Sequence, residues 1–131
     1  AREKARLSGI ENITFELTTI ENLEAASKSF NAVLGLNILH LVEDKQKIMA
    51  KVHELLEPGG FFVSSTPCLA NTSIFLRYLL PIANRLGIAP SVKFFSGEEL
   101  ETAITQAGFL IDYRWEPDST ASLFLIAKKP L

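Results

Sequence analysis

Two apolar runs joined by a helical pattern constrain this chain more than any other feature. Phe30-Asn31-Ala32-Val33-Leu34-Gly35-Leu36 is apolar except at Asn31 and Gly35, and Phe61-Phe62-Val63 opens a second run that reaches Ser65. Between them Ile48, Met49, Val52, Leu55 and Leu56 recur at helical spacing, with Lys45, Lys47, Lys51 and Glu54 opposite. Asp44 stands where an N-cap is wanted. Pro58-Gly59 supplies a fixed φ followed by a positive one, the requirement of a type II turn. Strand, helix, tight turn and strand make a right-handed crossover unit, so the fold is α/β with a parallel pair. A run apolar at nearly every position suits a parallel strand covered on both faces, which puts Phe30–Leu36 at the middle of the sheet.

The flanking segments add elements of their own. Residues 2 to about 7 read as a helix closed by Ser8-Gly9, where glycine takes the left-handed conformation that ends helices. Ile13-Thr14-Phe15-Glu16-Leu17 alternates apolar with polar and reads as a strand. Ser96-Gly97-Glu98-Glu99 has the spacing of a capping box and heads a helix that Gly108 stops. Phe109 to Trp115 and Ser122 to Ala127 read as an antiparallel pair joined by the turn Glu116-Pro117-Asp118-Ser119. From Asn71 to Pro90 the apolar residues wrap most of a helix circumference, and Pro81 should kink or end that helix.

Composition narrows the functional classes. With 131 residues, 47% hydrophobic and 21% charged, the chain is long and apolar enough for one domain with a core. A net charge of -2, with 13 basic residues scattered rather than clustered, gives no electrostatic footprint for nucleic acid. The single cysteine, Cys68, makes no internal disulfide and is expected to be a packing residue, which fits a reducing, cytoplasmic setting. No apolar run of leader length follows Ala1 to Arg6. The stretch Ile74 to Ile82, broken by Arg77 and Pro81, is too short for a bilayer crossing of roughly 20 residues. Two histidines and one cysteine at distant positions lack any zinc spacing, so no metal is expected.

Taken together, residues 30–40 (Phe-Asn-Ala-Val-Leu-Gly-Leu-Asn-Ile-Leu-His), the Leu56-Glu57-Pro58-Gly59-Gly60 turn and the Ala107-Gly108-Phe109 step into a strand resemble the second half of a class I S-adenosylmethionine-dependent methyltransferase. The resemblance is to the small-molecule kind that includes ubiquinone-biosynthesis enzymes, and it runs over nearly the whole chain. It implies a Rossmann-like sheet, mostly parallel, with a C-terminal antiparallel hairpin. Ile13 to Leu17 would be the family's third strand and Ala32 to Leu36 its fourth. Residues 1–131 would form a single partial domain, with 69–90 as a helical lid-like insertion. S-adenosylmethionine is the implied cofactor, held outside the carboxyl ends of the parallel strands. In that frame Thr19 and Ile20 fall at the adenine, with Thr19 where the family usually has an aspartate, and Leu36 and Asn37 approach the methionine end. Phe75 and Tyr78 are the implied substrate-binding residues of the lid.

His40, just past the fourth strand, is a candidate general base, because imidazole titrates near the working pH. His53 reads as a solvated surface residue of its helix. The implied reaction is transfer of a methyl group to a small, apolar molecule. No Asn-Pro-Pro-Tyr motif of the kind that marks amine methylation of nucleic-acid bases follows the fourth strand, which also favours a small-molecule acceptor.

One part of the family pattern is missing. The seven glycines include no G-x-G loop after a strand, the feature with which this family holds its methyl donor. The expectation is therefore the C-terminal portion of a longer enzyme, inactive by itself. Without the first two strands a gap of roughly 10 Å would separate the third strand from the fourth, and the open edges would make a homodimer a candidate assembly. The alternative reading is a non-catalytic α/β module whose edges and apolar helix serve assembly.

Overall fold

A computed structural model of the chain describes residues 1–67, 81–82, 85–87, 96–117 and 122–131. Its elements, in chain order, are α1 (Arg2–Leu7), β1 (Phe30–Leu36), α2 (Lys45–Leu55), β2 (Leu56–Pro67), α3 (Gly97–Gln106), β3 (Leu110–Trp115) and β4 (Ser122–Lys128). Local chemistry sets both main helices. Asp44 Oδ1 accepts the Lys47 N–H at 3.0 Å and starts α2. At α3 the Glu99 N–H donates to Ser96 Oγ at 3.2 Å, and the Ser96 N–H donates back to Glu99 Oε2 at 3.0 Å, a complete capping box. Gly108, with φ of 96°, turns the chain out of α3 into β3.

The four strands form one sheet in the order β1-β2-β4-β3. β1 pairs with β2 in parallel, and β4 lies antiparallel to both β2 and β3. Three of the four strands therefore run the same way, and β4 is the reversed strand inserted between them. Helices α2 and α3 cover one face. Met49, Val52, Leu100 and Ile104 pack there against Phe62, Leu123, Leu125 and Ala127, all buried.

The Pro-Gly-Gly turn behaves as its residues dictate. Gly59 has φ of 82°, and a Cβ on Gly60 would stand 2.9 Å from the Glu57 carbonyl and 3.0 Å from that of Asn31. The ladder with β1 resumes past the turn, so the irregularity lies between Phe30 and Ala32.

Three expectations need correction. Ile13 to Leu17 forms no strand; Leu17 is fully exposed, and the contact made to Phe15 is a hydrogen bond from Arg2 to its carbonyl. A strand exists through its ladder partner, and among the described residues none lies beside this segment. β1 is an edge strand rather than a central one, and its burial is largely confined to Gly35 and, in part, Val33. Its apolar run matches burial on two faces, but among the described residues one flank and one face have no cover. Third, His53 is half-buried, its ring edge-on to Phe109 at 5.0 Å between centroids. α2 packs on the connection into β3 as well as on the sheet, so a residue off the main stripe is still covered.

Residues 68–80, with Cys68, Phe75 and Tyr78, lie outside the described residues, as does most of the expected insertion at 69–90. Pro81 and Ile82 are helical. Among the described residues, no helix is long and apolar enough to cross a membrane.

Candidate cofactor site

The described residues enclose an apolar cavity at the carboxyl end of the parallel pair, with a volume of about 370 Å³. Each element contributes a wall. β1 supplies Val33, Leu34 and Gly35, the loop after it Ile38, Leu39 and Val42, α2 its Ile48 and Val52, and β2 the ring of Phe62. The segment Thr18 to Glu21 closes the remaining side. That segment is a turn, in which the Asn22 N–H donates to the Thr19 carbonyl at 3.1 Å and the Leu23 N–H to that of Ile20 at 3.4 Å. Thr18 Oγ1 donates to the Thr19 carbonyl at 3.2 Å, which leaves the hydroxyl oxygen free to accept.

Gly35 sets the floor. A Cβ there would come within 3.3 Å of Phe62 Cε2 and 3.6 Å of Ile38 Cγ2, so the absent side chain is what lets both approach the strand.

Of the sequence-derived site residues, Thr19 and Ile20 line this cavity, and Leu36, Asn37 and His40 are not among its lining residues. Leu36 is 54% exposed and does not line it. Asn37 sits just past the strand end with φ of 54°, a conformation asparagine tolerates better than most residues, while its N–H donates to the Ser65 carbonyl at 2.7 Å. The backbone of Asn37 thus extends the β1–β2 ladder by one bond, and its side chain is exposed.

His40 lies in the turn after Ile38, half-buried, and its Nδ1 is buried without a hydrogen-bond partner. Burial holds its pKa below the ordinary imidazole range, so the ring is neutral at pH 7. Gly35, Ile38, Leu39, Val42 and Phe62 were not singled out by sequence reasoning as site residues. The signal for Gly35 was available, since a glycine inside a strand marks a close approach. Among the described residues no group of three metal-ligating side chains occurs.

As a binding surface, the cavity joins apolar walls to hydroxyl and backbone groups at one rim. That combination fits a purine and its exocyclic amino group. Glu21 is the one carboxylate among its lining residues, and a glycine loop for an amino-acid end is not among them.

Known proteins share both the sequence pattern and the fold. Residues 1–94 match the family described as "Methyltransferase domain". The ubiquinone biosynthesis O-methyltransferase of Ruegeria pomeroyi is 30% identical over 117 residues, an alignment covering 82% of this chain and 45% of the relative. The chain thus spans a little under half the length of that relative. Among solved structures, the (4+2)-cyclase SpnF superposes with a TM-score of 0.79 at 14% identity, covering 99% of this chain and 61% of its own. An S-adenosylmethionine-dependent methyltransferase from Mesorhizobium loti superposes with a TM-score of 0.73 at 22% identity, covering 98% and 75%.

Proposed function

Because the chain belongs to the methyltransferase domain family, in its S-adenosylmethionine-dependent class I branch, we propose that the protein transfers a methyl group from S-adenosylmethionine to a hydroxyl oxygen of a small, apolar molecule. The observation that carries this reading is the cavity that joins the Thr18–Glu21 turn to the carboxyl end of β1. When bound, the cofactor supplies an electrophilic methyl group on a sulfonium sulfur. Thr19 and the backbone of Ile20 would hold the adenine by hydrogen bonds, Ile20, Val33 and Leu39 would give it apolar contact, and Asn37, exposed just past the end of β1, would offer its carboxamide to the methionine end.

The acceptor class rests on two supports. The Ruegeria pomeroyi relative is named as an O-methyltransferase of ubiquinone biosynthesis, and the sequence from Asn71 to Pro90, with Phe75 and Tyr78, is apolar as a lid over such an acceptor requires. Methyl transfer depends mainly on aligning donor and acceptor away from water. A hydroxyl acceptor must also lose its proton, and neutral His40 is the candidate base. Fold alone does not decide the chemistry, since SpnF, a cyclase, has the same fold.

The test is incorporation of labelled methyl from S-adenosylmethionine into hydroxylated apolar acceptors, with donor affinity measured separately. Ile20→Asp should weaken donor binding about tenfold, roughly 1.4 kcal/mol. His40→Gln should leave donor affinity unchanged and lower kcat by about a hundredfold, the lower range for general-base catalysis. Donor affinity indifferent to Ile20→Asp would remove the cavity from the cofactor site.

A further inference from the structure

A site that prefers adenine to other purines must accept a hydrogen bond from its exocyclic amino group, and that demand singles out one side chain of the cavity rim. The Thr18 to Glu21 segment brings three kinds of acceptor there: backbone carbonyls, hydroxyls and a carboxylate. The carbonyls are engaged. That of Thr19 accepts from the Asn22 N–H at 3.1 Å and from Thr18 Oγ1 at 3.2 Å, which uses both of its lone pairs. That of Ile20 is directed along the turn to the Leu23 N–H at 3.4 Å. The hydroxyls do not discriminate. A hydroxyl both donates and accepts, so Thr19 Oγ1 bonds an amino group or a carbonyl equally, and Thr18 Oγ1 can do the same by giving up its 3.2 Å bond.

A carboxylate only accepts, and Glu21 supplies the one carboxylate of the lining. The bond from the Asn22 N–H to the Thr19 carbonyl closes a turn with Ile20 and Glu21 at its two central positions, so the apolar contact and the charge are fixed side by side. Glu21 also borders a second recess, shared with Lys47, Lys51 and Glu54 of α2. There Lys51 is paired with Glu54 at 3.7 Å. Among the described residues no salt bridge or hydrogen bond uses the Glu21 carboxylate, so its oxygens are available to a ligand.

We propose that Glu21 selects the purine: its carboxylate accepts from the exocyclic amino group of an adenine in the cavity and disfavours a purine that carries a carbonyl at that position. The inference rests on the cofactor reading above and names the side chain that gives this site its preference. Opposite a carbonyl, the carboxylate would gain no hydrogen bond and would set two acceptors against each other. Glu21 is exposed, so water relieves much of that mismatch. The preference should therefore be about tenfold, far below the roughly 10⁴-fold of a buried site built for one hydrogen bond.

The test is calorimetric titration of the protein with S-adenosylhomocysteine and with its deaminated analogue S-inosylhomocysteine, while NMR of the Ile20 methyl groups and the Gly35 amide locates the ligand. The amino compound should bind about tenfold tighter than the carbonyl compound. Glu21→Gln, whose carboxamide can donate as well as accept, should bring the two affinities to within about threefold of each other. The substituted residue is exposed, so the packed core is untouched by the change. A preference unaltered in Glu21→Gln, with Ile20 and Gly35 still shifting on binding, would overturn the role of Glu21 and leave the cavity reading standing. Absence of saturable shifts at Ile20 and Gly35 in the unsubstituted protein would overturn both.

Discussion

β1 and β4 are seven-residue strands of similarly apolar sequence, yet they live in different environments. β4 lies between β2 and β3, and every second residue, Leu123, Leu125 and Ala127, is wholly buried beneath the helices. β1 borders one strand, and Leu34 and Leu36 are 61% and 54% exposed. Apolar composition makes a strand able to be buried, and neighbours decide whether it is. The contrast also separates the molecule by role. The β4 region is packed for stability, whereas the β1 end leaves open the space that the candidate site uses.

The sharpest way to break this comparison is to truncate matching leucines. Leu125→Ala should cost about 2–5 kcal/mol in urea unfolding of the chain, the range for a large buried side chain. Equal losses from Leu125→Ala and Leu34→Ala would erase the distinction between the two strands. Removing the α3 cap by Ser96→Ala should cost about 1 kcal/mol, because both bonds of the box are made in the structure. Leu34→Ala should stay within about 0.5 kcal/mol, as for surface substitutions.

The smallest effect concerns pH. The pKa values of His40 and His53 are both lowered on folding, so the unfolded chain binds more protons as pH falls through the ordinary imidazole value of about 6.5. Stability should be fully present above that pH and decline below it until the folded values are reached. Urea midpoints measured at intervals between pH 8 and 5 should show this decline. His53→Gln should flatten the slope, and an unchanged slope would assign the decline to other groups.

What was legible in the sequence follows the range of the interactions involved. Asp44, the Ser96–Glu99 box and Gly108 act over a few residues, and each does what its spacing predicts. The closing pair β3 and β4 was equally plain from two apolar runs separated by a short connection. By contrast, the burial of β1, the missing strand at Ile13 to Leu17 and the covered position of His53 depend on neighbours distant in sequence. The candidate site divides in the same way. Thr19 and Ile20 came from a family pattern and do line the cavity, while Phe62 enters it through pairing with β1 across the crossover.

The most direct test of the account is titration of the protein with S-adenosylhomocysteine, read by NMR at the Ile20 methyl groups and the Gly35 amide. The cavity reading predicts saturable shifts at both positions, with the Leu110 amide in β3 unmoved. Binding that leaves Ile20 and Gly35 unperturbed would contradict it.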